Sequence, residues 1–162
     1  RENYRAEVHR DTVENGTPVK KGLYELLEVL REKKLRLAVA TSSSYESAAR
    51  LLEEAAVFDY FDAIVTGNMV ERSKPAPDIY EKACTALGVL PEYALALEDS
   101  YNGIRSAHAA GMKVIMIPDL LTDSACVDDL LYGKMDSLSE VAEMFRKNGD
   151  DHSGQPSCAK QI

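Results

Sequence analysis

Two carboxylates, Glu98 and Asp99, stand side by side where an apolar run ends, in the stretch "ALEDSYNG" (residues 96–103). Adjacent carboxylates at such a place repel each other and are costly to desolvate unless they share a cation. Oxygen donors of this kind suit Mg²⁺, which takes one or two carboxylates plus a phosphate and keeps several waters. The simpler alternative is that Asp99 caps the next helix while Glu98 faces solvent. A second set, Thr41-Ser42-Ser43-Ser44, puts hydroxyls and backbone N–H groups at the start of a helix, where the dipole favours an anion. Plain capping by Ser43 or Ser44 explains the same residues. The third is Lys74, within "SKPAP" (residues 73–77). Its flanking prolines stiffen the backbone, and Pro75 suits the first position of a helix. Taken alone, an exposed loop lysine accounts for Lys74 better. Together the three sets amount to a hydroxyl and N–H cradle for phosphate, an ammonium to neutralise it and an acidic pair for Mg²⁺. That is the equipment of phosphoryl transfer, in which positioning and charge stabilisation do most of the work.

The elements that must hold these residues are legible as alternating patterns. Leu23, Leu26, Leu27 and Leu30 follow the i, i+3, i+4, i+7 spacing of an amphipathic helix, and residues 35–40 form an apolar run of strand length that fits a parallel strand covered on both faces. The alternation repeats. Helices are marked by Ala48, Leu51, Leu52 and Ala55, by Tyr80, Ala83, Cys84 and Leu87 (opening at Pro75), by residues 104–110 and by Leu138, Val141 and Phe145. Strands are marked by residues 63–65, 94–97 and 113–117. This order predicts an α/β fold, a parallel sheet with helices on both faces. Ligands of such sheets bind beyond the carboxyl ends of the strands. The polar residues there are Thr41 to Ser44, the loop 67–74, Glu98 to Ser100, and Asp119.

Composition narrows the function classes. The 162 residues fit one domain with a sizeable core. With 19 Lys+Arg against 27 Asp+Glu, the net charge is −8 and no basic run tracks a phosphate backbone, which argues against nucleic acid as a partner. The longest apolar runs fall far short of the roughly 20 residues of a membrane span, so no membrane partner is expected and a cytoplasmic setting is the simplest. Cys84, Cys126 and Cys158 are odd in number and widely spaced, which supports neither a disulfide framework nor a zinc site. Cys84 is expected in the core and Cys158 in a tail.

The order "VATSSS", "SKPAPDIYEKA", "LALEDSYNGIRSAHAAGMKVIMI" resembles the haloacid dehalogenase-like hydrolase superfamily, in its phosphoglycolate phosphatase and beta-phosphoglucomutase branch, over roughly residues 19–145. The resemblance implies a Rossmann-like core and a small phosphorylated metabolite as substrate. It implies that Thr41 binds the transferring phosphoryl group with the backbone of Ser42 beside it, Ser43 being a less certain neighbour. Lys74 would stabilise that phosphoryl group and the nucleophile, while Glu98 and Asp99 would hold Mg²⁺, one of them through water. Members carry an Asp-x-Asp-Gly-Thr motif after their first strand, whose first Asp becomes an aspartyl phosphate. No Asp-x-Asp occurs in this sequence. Residues 1–17 are therefore expected to be the remnant of a helical cap and linker, residues 18–146 a core lacking its first strand and most of the cap, and residues 147–162 a disordered tail. The expected activity is that of a phosphatase, with the nucleophile supplied upstream and the chain alone inactive. A beta-phosphoglucomutase-like mutase and a noncatalytic binding module are the competing expectations. A nucleotide-binding or receiver-like domain is weaker, because no Gly-x-Gly-x-x-Gly or Walker loop is present.

Overall fold

The computed structural model describes residues 18–119 and 123–148. Five α-helices and five strands lie along it, alternating up to β4: α1 (Leu23–Glu32), β1 (Ala38–Thr41), α2 (Tyr45–Glu54), β2 (Ala63–Thr66), α3 (Asp78–Leu87), β3 (Leu95–Glu98), α4 (Tyr101–Ala109), β4 (Lys113–Met116), β5 (Gly133–Lys134) and α5 (Leu138–Lys147). The expected α/β alternation is thus present. Residues 1–17 and the tail from 149 onward, with Cys158, lie outside the described residues. Lys147, expected in the tail, closes α5.

All strand pairings are parallel, and they form two separate sheets. One has the order β1-β2 and the other β3-β4-β5. Alternating side chains send Leu95 and Ile115 into a core shared with α1 and α5, and Ala96, Val114 and Met116 into a second core with α3 and α4. The stripe Leu26, Leu27, Val29 and Leu30 of α1 is fully buried against α5 and the first core. Each such side chain contributes roughly 1.5–3 kcal/mol of transfer free energy. The sheets therefore share helical layers on both faces without sharing a hydrogen-bonded edge.

Between the facing edges of β1 and β3 lies a cavity of about 470 Å³, roofed by Leu26 and Leu30 of α1 and floored by Ala83 and Leu87 of α3. Among the described residues neither of these edges has a strand partner. The run 35–40 gives a parallel strand as expected, though it begins only at Ala38, and all four of its residues are only half-buried because one edge borders the cavity. The short β5 has no counterpart in the sequence pattern, since its two residues, Gly133 and Lys134, are too few to carry one.

Candidate active site

The open end of the cavity is lined by Thr41, Ser42, Lys74, Glu98 and Asp99, delivered by the carboxyl ends of β1 and β3 and by the loop before α3. Ser43 is exposed and stands apart from this lining. Thr41 Oγ1 accepts the Ser43 backbone N–H at 3.1 Å, which curls the chain after β1. Ser44 is the residue that caps α2, its Oγ accepting from Ser47 N at 3.3 Å. Capping is therefore accounted for without Thr41 or Ser42.

Lys74 departs from both sequence expectations about its loop. Pro75 does not open a helix: the Lys74–Pro75 peptide is cis, Ala76 N–H closes a turn onto Ser73 O at 3.0 Å, and α3 begins only at Asp78. Nor is the lysine an exposed one, since its side chain is 13% accessible. Its ammonium donates to Glu98 Oε1 at 2.5 Å, to Ala40 O at 3.2 Å and to Tyr80 Oη at 3.4 Å, and stands 4.9 Å from the centre of the Tyr80 ring. The loop is held from both sides. Arg72 approaches Asp78 Oδ1 at 2.7 Å, and its Nε and backbone N reach Oδ2 at 3.2 and 3.3 Å. That clamp keeps the Asp78 carboxyl below its ordinary range, chiefly through the Arg72 hydrogen bond.

Glu98 is buried and does not face solvent. Oε1 receives Lys74 and the Tyr80 hydroxyl, and Oε2 receives Ser100 Oγ at 3.2 Å. Ser100 accepts Gly103 N–H at 3.1 Å at the same time, so it, and not Asp99, is the N-cap of α4. Burial, followed by the charge of Glu98, pushes the Tyr80 phenol far above its usual range, which keeps it a hydrogen-bond donor. Asp99 is different, with its side chain 44% accessible and Oδ2 lying 3.3 Å from Lys20 Nζ.

Three further residues build the site in ways their local sequence does not mark. Tyr80 reads as one apolar member of a helical stripe, although a buried phenol needs a polar partner. Ser100 stands among the polar strand-end residues, but nothing local marks it as the N-cap of α4 and a donor to Glu98. Gly103 lies inside α4, where a Cβ would stand 2.0 Å from Glu98 Oε2. The available signal was a glycine in the first turn of a helix directly after two carboxylates.

Chemically the site presents an ammonium fixed by a buried carboxylate, the hydroxyl residues Thr41 and Ser42, and a half-exposed carboxylate. The donors are all oxygen, which fits a hard divalent cation, but only in part. Three donors already occupy Glu98, and no group of three or more His, Cys, Asp or Glu side chains suited to a metal is assembled among the described residues. The fit therefore rests on Asp99, and one carboxylate is an acceptable share for Mg²⁺.

A family model described as haloacid dehalogenase-like hydrolase matches residues 1–117, which include every lining residue named above. The chain belongs to the haloacid dehalogenase-like hydrolase family. Among curated relatives, Protein CbbY of Cereibacter sphaeroides is 40% identical over 126 residues, covering 74% of this chain and 53% of the relative. Phosphoglycolate phosphatase of Thiobacillus denitrificans is 32% identical over 127 residues, covering 78% and 56%. The crystal structure of CbbY from Rhodobacter sphaeroides in complex with xylulose-(1,5)bisphosphate superposes with a TM-score of 0.71 at 34% identity, covering 86% of this chain and 61% of that one. The chain thus spans about half the length of the curated family members it matches.

Proposed function

We propose that this chain is the larger part of the catalytic core of a Mg²⁺-dependent phosphomonoester hydrolase acting on a small phosphorylated metabolite. The observation that carries the reading is the convergence of Thr41, Ser42, Lys74 and Asp99 on one end of the cavity between β1 and β3. Thr41 and the Ser42 backbone bind the phosphoryl group, and Lys74, held by Glu98, neutralises charge that develops on its oxygens. Asp99 contributes a carboxylate to Mg²⁺, and Glu98 acts on the same centre by fixing Lys74. The cation, when bound, shields the phosphoryl oxygens and the attacking group from each other. The nucleophilic aspartate, supplied from outside these 162 residues on a strand that fills the cavity, attacks phosphorus as the P–O bond to the substrate alcohol breaks, and water then hydrolyses the aspartyl phosphate to free phosphate. The 162-residue chain alone then turns nothing over. A cytoplasmic setting suits Cys84 and Cys126, which form no disulfide among the described residues.

The relatives support a phosphorylated sugar or short acid as substrate class, since one is named a phosphoglycolate phosphatase and another, from Thermotoga maritima, a phosphorylated carbohydrates phosphatase. A second reading, uptake of phosphate without turnover, is favoured by the lack of any Asp-x-Asp in the sequence. One experiment separates them. The chain extended by its in-frame upstream coding sequence is screened against an aryl phosphate and phosphorylated sugars with Mg²⁺ and with chelator, a mutase assay included. Hydrolysis that requires Mg²⁺ and is abolished in Asp99→Ala supports the hydrolase. Inactivity on every substrate, or an Asp99→Ala variant as active as wild type, overturns it.

A further inference from the structure

A second ammonium stands over the strand ends and takes no part in the chemistry above. Lys20 Nζ lies 3.3 Å from Asp99 Oδ2 and 3.4 Å from Asp119 Oδ2, so it bridges the residues that follow β3 and β4. Its backbone is pinned. Leu23 N–H bonds to Lys20 O at 3.1 Å, and Leu138 N–H bonds to Lys21 O at 3.1 Å. The next residue, Gly22, has φ +87° and packs so closely on α5 that a Cβ there would stand 2.2 Å from Ser139 N. A segment fixed this firmly delivers Lys20 to the strand ends as part of the fold.

We propose that Lys20 is the resident counter-ion of Asp99, displaced onto Asp119 when a divalent cation binds. The proposal rests on the reading of Asp99 as a Mg²⁺ ligand. The reasoning is electrostatic. An ammonium in contact with a carboxylate opposes entry of a second, doubly charged cation at the same oxygens, and must move away for it to bind. Asp119, with its side chain 65% accessible, offers a hydrated place to go that needs only a side-chain rotation. Lys20 therefore weakens ion binding while keeping Asp99 neutralised in its absence, and Asp119 limits that weakening.

Removal of either partner should act in opposite directions. Mg²⁺ affinity is measured by calorimetry and Mn²⁺ affinity by electron paramagnetic resonance, with circular dichroism as a check on folding. Lys20→Met should bind either ion about tenfold more tightly than wild type. Asp119→Asn should bind several-fold more weakly, since the ammonium then has only Asp99. In the Lys20→Met background the Asp119→Asn change should lose most of its effect, because it acts through Lys20. Lys20→Arg, which keeps the charge, should bind like wild type, and Lys20→Gln repeats the test if the methionine variant fails to fold. Unchanged or weaker binding by Lys20→Met and Lys20→Gln overturns the proposal, as does an equal effect of Asp119→Asn in both backgrounds. Loss of binding in Asp99→Asn with no gain in Lys20→Met overturns the Lys20 role alone. Wild-type affinity in Asp99→Asn, or no binding by any variant, overturns the metal reading beneath it.

Discussion

Lys74 Nζ and Glu98 Oε1 are 2.5 Å apart, and both side chains are largely withdrawn from water, at 13% and 8% accessibility. A pair in this setting is worth little as an ion pair relative to an apolar replacement, yet removal of one member alone leaves a buried charge uncompensated, at about 3–5 kcal/mol. Lys74→Met should therefore destabilise the protein by about 3 kcal/mol in urea unfolding, since Tyr80 and Ser100 still serve Glu98. The double variant Lys74→Met/Glu98→Leu should recover part of that loss. A double-variant loss equal to the sum of the losses of Lys74→Met and Glu98→Leu alone would mean that the pair is not electrostatically coupled. In the extended protein Lys74→Met should lower turnover by about 100-fold or more.

Gly103→Ala sets two effects against each other. Inside a helix alanine is favoured over glycine by about 1 kcal/mol. The added methyl would stand 2.0 Å from Glu98 Oε2, and that carboxylate is held by Lys74, Tyr80 and Ser100 and cannot swing away without breaking those bonds. Packing should win, with a net loss of about 2 kcal/mol. A variant as stable as wild type would show that Glu98 has room to move.

Ser100→Ala removes two bonds with one hydroxyl, the cap on Gly103 N–H and the donor to Glu98 Oε2. The expected cost is about 2 kcal/mol, more than a surface cap alone. Ser44→Ala, which loses only the cap of α2, serves as the reference and should cost about 1 kcal/mol. Equal costs would mean that the Glu98 bond adds nothing.

The Arg72–Asp78 clamp gives the Lys74 loop a pH dependence. Because the folded Asp78 pKa lies below its unfolded value, its contribution to stability is complete above the ordinary carboxylate range and fades as pH falls through the lowered folded value. Asp78→Asn should therefore be less stable than wild type near neutrality, and the two should converge in strong acid. The clamp is well exposed on the Arg72 side, so the difference should be modest and reduced by salt. A gap that persists unchanged to the lowest pH at which both fold would assign the effect to lost packing.

The order of elements and the residues at the strand ends were legible because the signals are local. Leucine spacing marks α1, short apolar runs mark β3 and β4, and polar residues follow directly. What was not legible depends on contacts distant in sequence. Glu98 carries no local mark of burial, and its role depends on Lys74, 24 residues earlier, and on Tyr80, 18 residues earlier. The late start of α3 could not be read from Pro75, because proline suits a tight turn as well as a first helical residue. Apolar runs of equal length alone do not encode the division into two sheets; it agrees with the missing strand that the family resemblance implies.

The ammonium of Lys74 reaches Ala40 O at the end of one sheet and Glu98 at the end of the other, so it spans the opening between them. It works as a caliper. Any event that widens or narrows the opening by even an ångström must lengthen one of those bonds or let the charge shift. The breadth of the gap is thereby translated into the position of a single positive charge. Spectroscopy of one isotopically labelled lysine amine would follow the separation of the two sheets in solution.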